Sequence, residues 1–213
     1  MKKFALLLFL MVFSVLLVAC NIESGTKGDN QDDTVTLGDE YNSENIISSL
    51  GDTYYIKVAF YGDDLPSEYV VAKSGDKELY MSDYNSYFIE GDNVYELDLE
   101  AKTKTLLDEY MHEIVLLSHE MTFIFLVEWA ESINNIAKFV KNDTYLGRSV
   151  QIYSWKASVY GVNIETNYTI DNETKIALKF EYLTSEGDVS WEVTEFKLTD
   201  VSLTTYLNYQ TVS

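Results

Sequence analysis

Apolar and polar residues alternate along five short runs: TYYIKVAFY (53–61), EYVVAK (68–73), ELYMSD (78–83), SYFIE (86–90) and NVYELDL (93–99). In the first, Tyr54, Ile56, Val58 and Phe60 share one parity while Lys57 and Ala59 take the other, the pattern of a strand with one face in water. In the fifth, Tyr95, Leu97 and Leu99 oppose Glu96, Asp98 and Glu100 in the same way. Turn chemistry at Gly62-Asp63-Asp64, Gly75-Asp76 and Gly91-Asp92 separates the runs and predicts an antiparallel meander. A second block follows the same rule: SVQIYSWKASVYG (149–161), NIETNYTID (163–171), KIALKFEYLT (175–184) and DVSWEVTEFKLTD (188–200). Ile164, Thr166, Tyr168 and Ile170 share a face, as do Ile176, Leu178, Phe180 and Tyr182. In the last run Val189, Trp191 and Val193 lie on one parity and Phe196 and Leu198 on the other, which predicts a bulge near Glu195.

Between the blocks the period changes. Residues 106–141 contain neither proline nor glycine, and Ile133, Ile136, Ala137 and Val140 recur at helical spacing. One or two helices are predicted there, interrupted or replaced by an extended piece near Thr122–Val127, and expected on the apolar face of the sheet. A shorter helix over 44–50 is closed by Gly51. The predicted fold class is α+β, a curved antiparallel sheet packed on central helices.

The first twenty residues, MKKFALLLFLMVFSVLLVAC, have the layout of an export signal: Lys2 and Lys3, an apolar run from Phe4 to Val18, and a small residue before Cys20. Leu17-Val18-Ala19-Cys20 resembles the bacterial lipobox, in which the cysteine thiol receives a diacylglyceryl group and the chain is cut just before it. The resemblance implies a signal peptide over 1–19, lipidation of Cys20 and attachment to the cell membrane on its extracytoplasmic face. An uncleaved transmembrane anchor is the competing reading of the same run. Residues 20–43 are rich in Gly, Asp, Asn, Thr and Glu and bury too little to offset chain entropy, so they are expected to form a flexible acidic tether. The folded domain is expected over 44–213.

Composition narrows the function. The chain has 213 residues, 35 acidic against 15 basic groups and a formal charge of −20. Nucleic-acid binding is excluded as the default, because phosphate recognition needs clustered cations. Loss of residues 1–19 removes two lysines and no acid, so the body becomes more acidic still. One cysteine cannot form an internal disulfide, and 46% hydrophobic content with 14% aromatic residues is ample for a core.

Taken with the lipobox, TYYIKVAFYGDD (53–64), EYVVAKSGDKELYM (68–81), NVYELDLEAKT (93–103) and YTIDNETKIALKFEY (168–182) resemble the LolA/LolB and LppX/LprG-like superfamily of lipoprotein-localisation and lipid-carrying proteins. The resemblance implies an incomplete β-barrel covered by helices, with a hydrophobic cavity between sheet and helices that holds acyl chains. The large apolar residues assigned to that region, candidates for the cavity wall, are Ile56, Val58, Phe60, Phe123, Phe125, Trp129, Trp155, Phe180 and Trp191. The alternative is that they fill one another's space in an ordinary packed core. The family's shuttle proteins are soluble, whereas an anchored chain fits an acceptor, holder or sensor.

Other chemistry is weakly signalled. His112 and His119 stand two helical turns apart, roughly 10 Å, which is too far to share one zinc ion. No nucleophile elbow, P-loop or dinucleotide glycine pattern occurs, and carboxylates are too abundant for a catalytic pair to stand out. No cofactor, metal or catalytic residue is expected. The expected partners are the membrane, through Cys20, and a lipid ligand, with the body a monomer. A surface adhesion module with a solid core, built on tyrosine-rich strands, is the second functional class; an enzyme is the third.

Overall fold

Val70, Val71 and Ala72 are all buried, and so are Tyr87, Phe88 and Ile89. Unbroken apolar runs of this kind belong to strands covered on both faces. A computed structural model describes residues 46, 48–61, 68–115, 137–159, 162–185 and 187–212. Its strands are β1 (Thr53–Tyr61), β2 (Glu68–Ser74), β3 (Lys77–Ser82), β4 (Ser86–Glu90), β5 (Asn93–Asp98), β6 (Thr103–Leu106), β7 (Lys138–Tyr145), β8 (Arg148–Val159), β9 (Val162–Asp171), β10 (Ala177–Thr184), β11 (Gly187–Lys197) and β12 (Gln210–Val212). All twelve form one sheet in the order β12-β6-β5-β4-β3-β2-β1-β11-β10-β9-β8-β7. The sheet is curved and does not close. Every pairing is antiparallel except β12 on β6. The two predicted meanders are therefore halves of a single sheet, joined where β1 pairs with β11.

The face that carries Tyr54, Ile56 and Val58 is the apolar face. Across β1, β2 and β7–β11 it holds a cluster that includes Val71, Tyr153, Tyr168, Ile170, Phe180, Trp191 and Val193, together with Ile46 and Leu50. Across β3–β5 it continues through Tyr80, Tyr87, Ile89 and Val94, against Val115 and Leu107. Val115 belongs to a helical segment described over 109–115. Asp108 caps that segment: its Oδ1 accepts the Met111 N–H at 2.9 Å and its carbonyl the His112 N–H at 2.9 Å.

The reverse face of the meander is covered by the chain after β11. Val70, Ala72, Leu79, Phe88 and Leu97 are buried against Leu203, with Val201, Tyr206, Leu207 and Tyr209 around them. Each large apolar side chain removed from water there contributes about 1.5–3 kcal/mol, an upper figure because unfolded chains already bury part of their surface. Lys104 is sealed into this layer. It is 6% exposed, its Nζ donates to the Leu207 carbonyl at 3.3 Å, and the ammonium lies 4.6 Å from the Tyr95 ring centroid and 5.6 Å from that of Phe88. Two ring faces and a carbonyl thus replace the water lost by the cation.

The expectation of central helices changes. Lys138–Tyr145, read as helical from Ile133, Ile136, Ala137 and Val140, is strand β7, paired with β8. Two features decide it. Phe139, Val140, Thr144 and Tyr145 favour a pleated surface, and Leu146 and Gly147 take φ of 51° and 75°, as a two-residue hairpin turn requires. The remaining part of the predicted helical region, 116–136, lies outside the described residues. The alternation in 53–61 and 93–99 implies a sheet wet on one side; β2–β4 between them are instead buried on both faces, with residues 201–209 supplying the second cover. The bulge predicted near Glu195 is present: Val58 pairs with Val193 and Lys57 with Glu195, leaving Thr194 unpaired.

Candidate ligand-binding site

Ring-bearing residues on the apolar face fall into register across β7 to β1 and continue diagonally to β4. Phe139 of β7 is paired with Tyr153 of β8, Tyr153 with Tyr168 of β9, Tyr168 with Phe180 of β10 and Phe180 with Trp191 of β11. Trp191 pairs with Phe60 of β1. Phe60 meets Tyr69 of β2 edge-on at 5.3 Å, Tyr69 lies 5.7 Å from Tyr80 of β3, and Tyr80 stacks on Tyr87 of β4 at 6.2 Å. Within the other half, Tyr168–Phe180 and Phe180–Trp191 centroids are 5.2 and 6.1 Å apart, and Phe139 meets Tyr153 edge-on at 5.9 Å. One aromatic side chain from each strand between β7 and β4 therefore forms a continuous belt across the sheet. Offset and edge-on pairs at these spacings are each worth about 0.5–1.5 kcal/mol beyond burial.

The rings of the belt are neutral at physiological pH, and burial moves its phenols further from ionisation. Burial pushes the Tyr168 phenol up to about 12 and raises those of Tyr69, Tyr87 and Tyr153, in each case chiefly by desolvation. On β1 and β8–β11 the reverse face carries charge. There Lys57 pairs with Glu68 at 2.8 Å, Lys179 with Glu181 at 3.1 Å, Lys156 with Glu165 at 2.8 Å, and Lys197 with Glu195. Such exposed pairs add little stability; they keep charge on one face while the belt side is neutral and largely buried.

The end of the sheet at which the chain enters β1 is closed. Arg148 forms two hydrogen bonds with Asp171, Nε to Oδ1 at 2.8 Å and Nη2 to Oδ2 at 2.9 Å, and its Nη2 also reaches Glu173 at 2.7 Å. The guanidinium stacks 4.8 Å from the Phe196 ring centroid. Asp171 Oδ2 additionally accepts the Thr174 N–H and hydroxyl at 2.8 and 2.7 Å, and Ser49 Oγ donates to the Thr174 carbonyl at 2.9 Å. Tyr145 Oη donates to the Val193 carbonyl at 2.9 Å, next to the Thr194 bulge, tying the β7–β8 corner to β11.

Of the sequence-predicted wall residues, Ile56, Val58, Phe180 and Trp191 are buried in one cluster, with Phe60 and Trp155 half-buried against it. Phe60, Phe180 and Trp191 belong to the belt. Trp155 lies one register step from it, paired with Thr166. Phe123, Phe125, Trp129 and Cys20 fall outside the described residues. The belt members not singled out from sequence are Tyr69, Tyr80, Tyr87, Phe139, Tyr153 and Tyr168; their signal was parity shared with known apolar neighbours. Among the described residues no group of three His, Cys, Asp or Glu could hold a metal ion. None of their helices is long and apolar enough to cross a membrane.

The chain thus carries an open antiparallel sheet with one neutral aromatic face. No protein-family model and no curated protein sequence matches it. Solved structures similar to it include LprF from Mycobacterium bovis, 8% identical with a TM-score of 0.43, covering 75% of this chain and 92% of that one. The lipoprotein LppX from Mycobacterium tuberculosis is 10% identical with a TM-score of 0.39, over 78% of this chain and 100% of that one. An uncharacterized conserved protein from Thermus thermophilus is 10% identical with a TM-score of 0.39, over 79% of this chain and 94% of that one.

Proposed function

We propose that this protein is an extracytoplasmic lipoprotein, anchored through an acylated Cys20, whose body binds a lipid or acyl chain against the aromatic belt. The observation that carries the reading is the belt itself: neutral rings on one face of an open sheet, paired in register from β7 to β1 and continued through ring contacts to β4. An acyl chain laid along such a face gains dispersion and burial without meeting a charge, while the reverse face keeps the acidic body soluble. The lipobox supports the anchor. More than one acyl chain at Cys20 gives stable attachment, which a single chain does not. The reading includes no catalytic step; the protein holds its ligand.

Native mass spectrometry of protein produced without residues 1–19 tests the binding: a co-purified mass in the fatty-acid or phospholipid range is expected. A mass equal to the bare chain, together with no uptake of a fluorescent fatty acid, would overturn it and leave the surface-adhesion reading. For the anchor, Cys20→Ser should release the protein from membranes, and unchanged retention would indicate an uncleaved helix.

A further inference from the structure

A hydroxyl inside an apolar layer needs a partner, because burying it without a hydrogen bond costs the folded state. Among the described residues two buried side-chain oxygens have none, Ser154 Oγ and Thr166 Oγ1. Ser154 lies on the reverse face, in register with Asn167. Thr166 is placed differently. It is 3% exposed and stands on the belt face of β9, in one register row with Trp155 of β8 and Tyr182 of β10 and two residues along the strand from Tyr168 of the belt. Burial raises the Tyr168 phenol and the Thr166 hydroxyl beside it offsets part of that rise, yet no hydrogen bond joins the two. A valine side chain has nearly the same shape, suits a strand equally and would leave no orphan. The hydroxyl is therefore a cost to the free protein, of a kind that an acceptor on a bound molecule would remove.

Resting on the lipid-binding reading above, we propose that the Thr166 hydroxyl is the polar anchor of the ligand face: it donates to an uncharged ester carbonyl of the ligand, so that the protein takes esterified acyl chains in preference to free fatty acids. The contact and the tail share one face of the sheet, since Thr166 has the parity of Tyr168 and its row adjoins Tyr153, Tyr168 and Phe180. Trp155 and Tyr182, on either side of it, are only half-buried, so rotation of a flanking ring uncovers the hydroxyl on the side where the tail lies. An ionised carboxylate at this place would need a cation. The lysines of β8, β10 and β11 do not supply one: Lys156, Lys179 and Lys197 stand on the reverse face, paired with Glu165, Glu181 and Glu195. An ester carbonyl gives up one hydrogen bond to water and regains it from Thr166 without bringing charge into the belt.

Equilibrium binding of 1-monopalmitoylglycerol and of palmitate at pH 8, each below its critical micelle concentration, to the full chain carrying Cys20→Ser tests this. The ester should bind about tenfold more tightly or better, because the carboxylate must be desolvated without a partner. Thr166→Val should weaken the ester by about threefold to tenfold, as loss of one neutral hydrogen bond implies, and Thr166→Ser, which keeps the hydroxyl, should bind it like the wild type. The same Thr166→Val should raise the melting temperature of the ligand-free protein by about 2–6 °C, since it removes the orphaned group; a damaged fold would move that temperature the other way. If palmitate binds as tightly as the ester, or Thr166→Val leaves the ester affinity unchanged or lowers the melting temperature, the anchor is overturned and the lipid-binding reading survives. If the wild type binds neither lipid nor a fluorescent fatty acid, the reading itself falls and the anchor with it.

Discussion

Removing the Arg148 side chain isolates the cost of a buried carboxylate. Asp171 is 1% exposed and makes four hydrogen bonds, two to Arg148 and two to Thr174. Arg148→Ala leaves the carboxylate in place with only the Thr174 donors, and breaking a buried pair in this way costs about 3–5 kcal/mol. Asp171→Asn retains an acceptor for Thr174 but loses the charge-assisted contact, worth about 1.5–3 kcal/mol. The double variant should cost less than the sum, because the penalty of the orphaned carboxylate disappears with it. Burial alone would raise the pKa of Asp171, but the hydrogen bonds from Arg148 and Thr174 and the charge of Arg148 hold it below the ordinary aspartate value. Its stabilisation is therefore complete above the unfolded pKa and lost as pH falls through the lower folded one, so wild type and Asp171→Asn should converge below about pH 4. Urea denaturation of the four proteins between pH 3 and 8 measures all of this. An Arg148→Ala cost under about 1 kcal/mol at pH 7, or strictly additive effects, would refute the argument.

Phe180→Ala should destabilise by about 3–5 kcal/mol if the belt is close-packed, and by clearly less if a ligand-sized space already lies beside it, so urea unfolding with and without bound lipid separates core from cavity wall. Lys104→Ala should cost more than Lys104→Met, which refills the aliphatic volume under Tyr95 and Phe88 without a buried charge; equal melting temperatures would contradict the role given to packing. Gly147→Val, at φ 75°, should lose about 1–2 kcal/mol by forcing a β-branched residue into the left-handed region. At high pH, the phenols of Tyr168 and Tyr145, both raised to about 12, hold protons that the unfolded chain gives up near 10. Stability should then fall above pH 10, and absorbance near 295 nm should show these phenols ionising only as the chain unfolds.

The strands were legible because period-two alternation is a local signal: Tyr54, Ile56 and Val58 point one way whatever lies far off in sequence. The bulge at Thr194 was legible for the same reason, as a change of parity between Val193 and Phe196. Strand β7 was not. Its residues repeat at helical spacing as well as strand spacing, and what decides between them is the β8 ladder and the Leu146-Gly147 turn, which the run from 106 to 141 does not contain. The covering of Val70, Ala72 and Phe88 was hidden in another way. Their contiguity with Val71 and Tyr87 signalled a strand buried on two sides, but the cover is supplied by residues beyond 200. The belt was half legible: single aromatics could be placed on a face, whereas the alignment of Tyr153 with Phe180 and Trp191 depends on inter-strand register. Cys20 and the region of Phe123, Phe125 and Trp129 rest on sequence alone.

The position of β1 sets a timetable for the whole molecule. The strand lies between β2 and β11, and Ile56 finds its Phe196 partner only after some 140 intervening residues are available. Hairpins such as β2–β3 and β8–β9 can form as they emerge, but joining them must wait, and the layer over Phe88 waits for Leu203. Contacts of such long range make folding slow. If the chain is exported unfolded, as proposed above, the delay is useful: two half-sheets with open edges stay separate until the region around β11 has passed through, and the protein then locks in one late step.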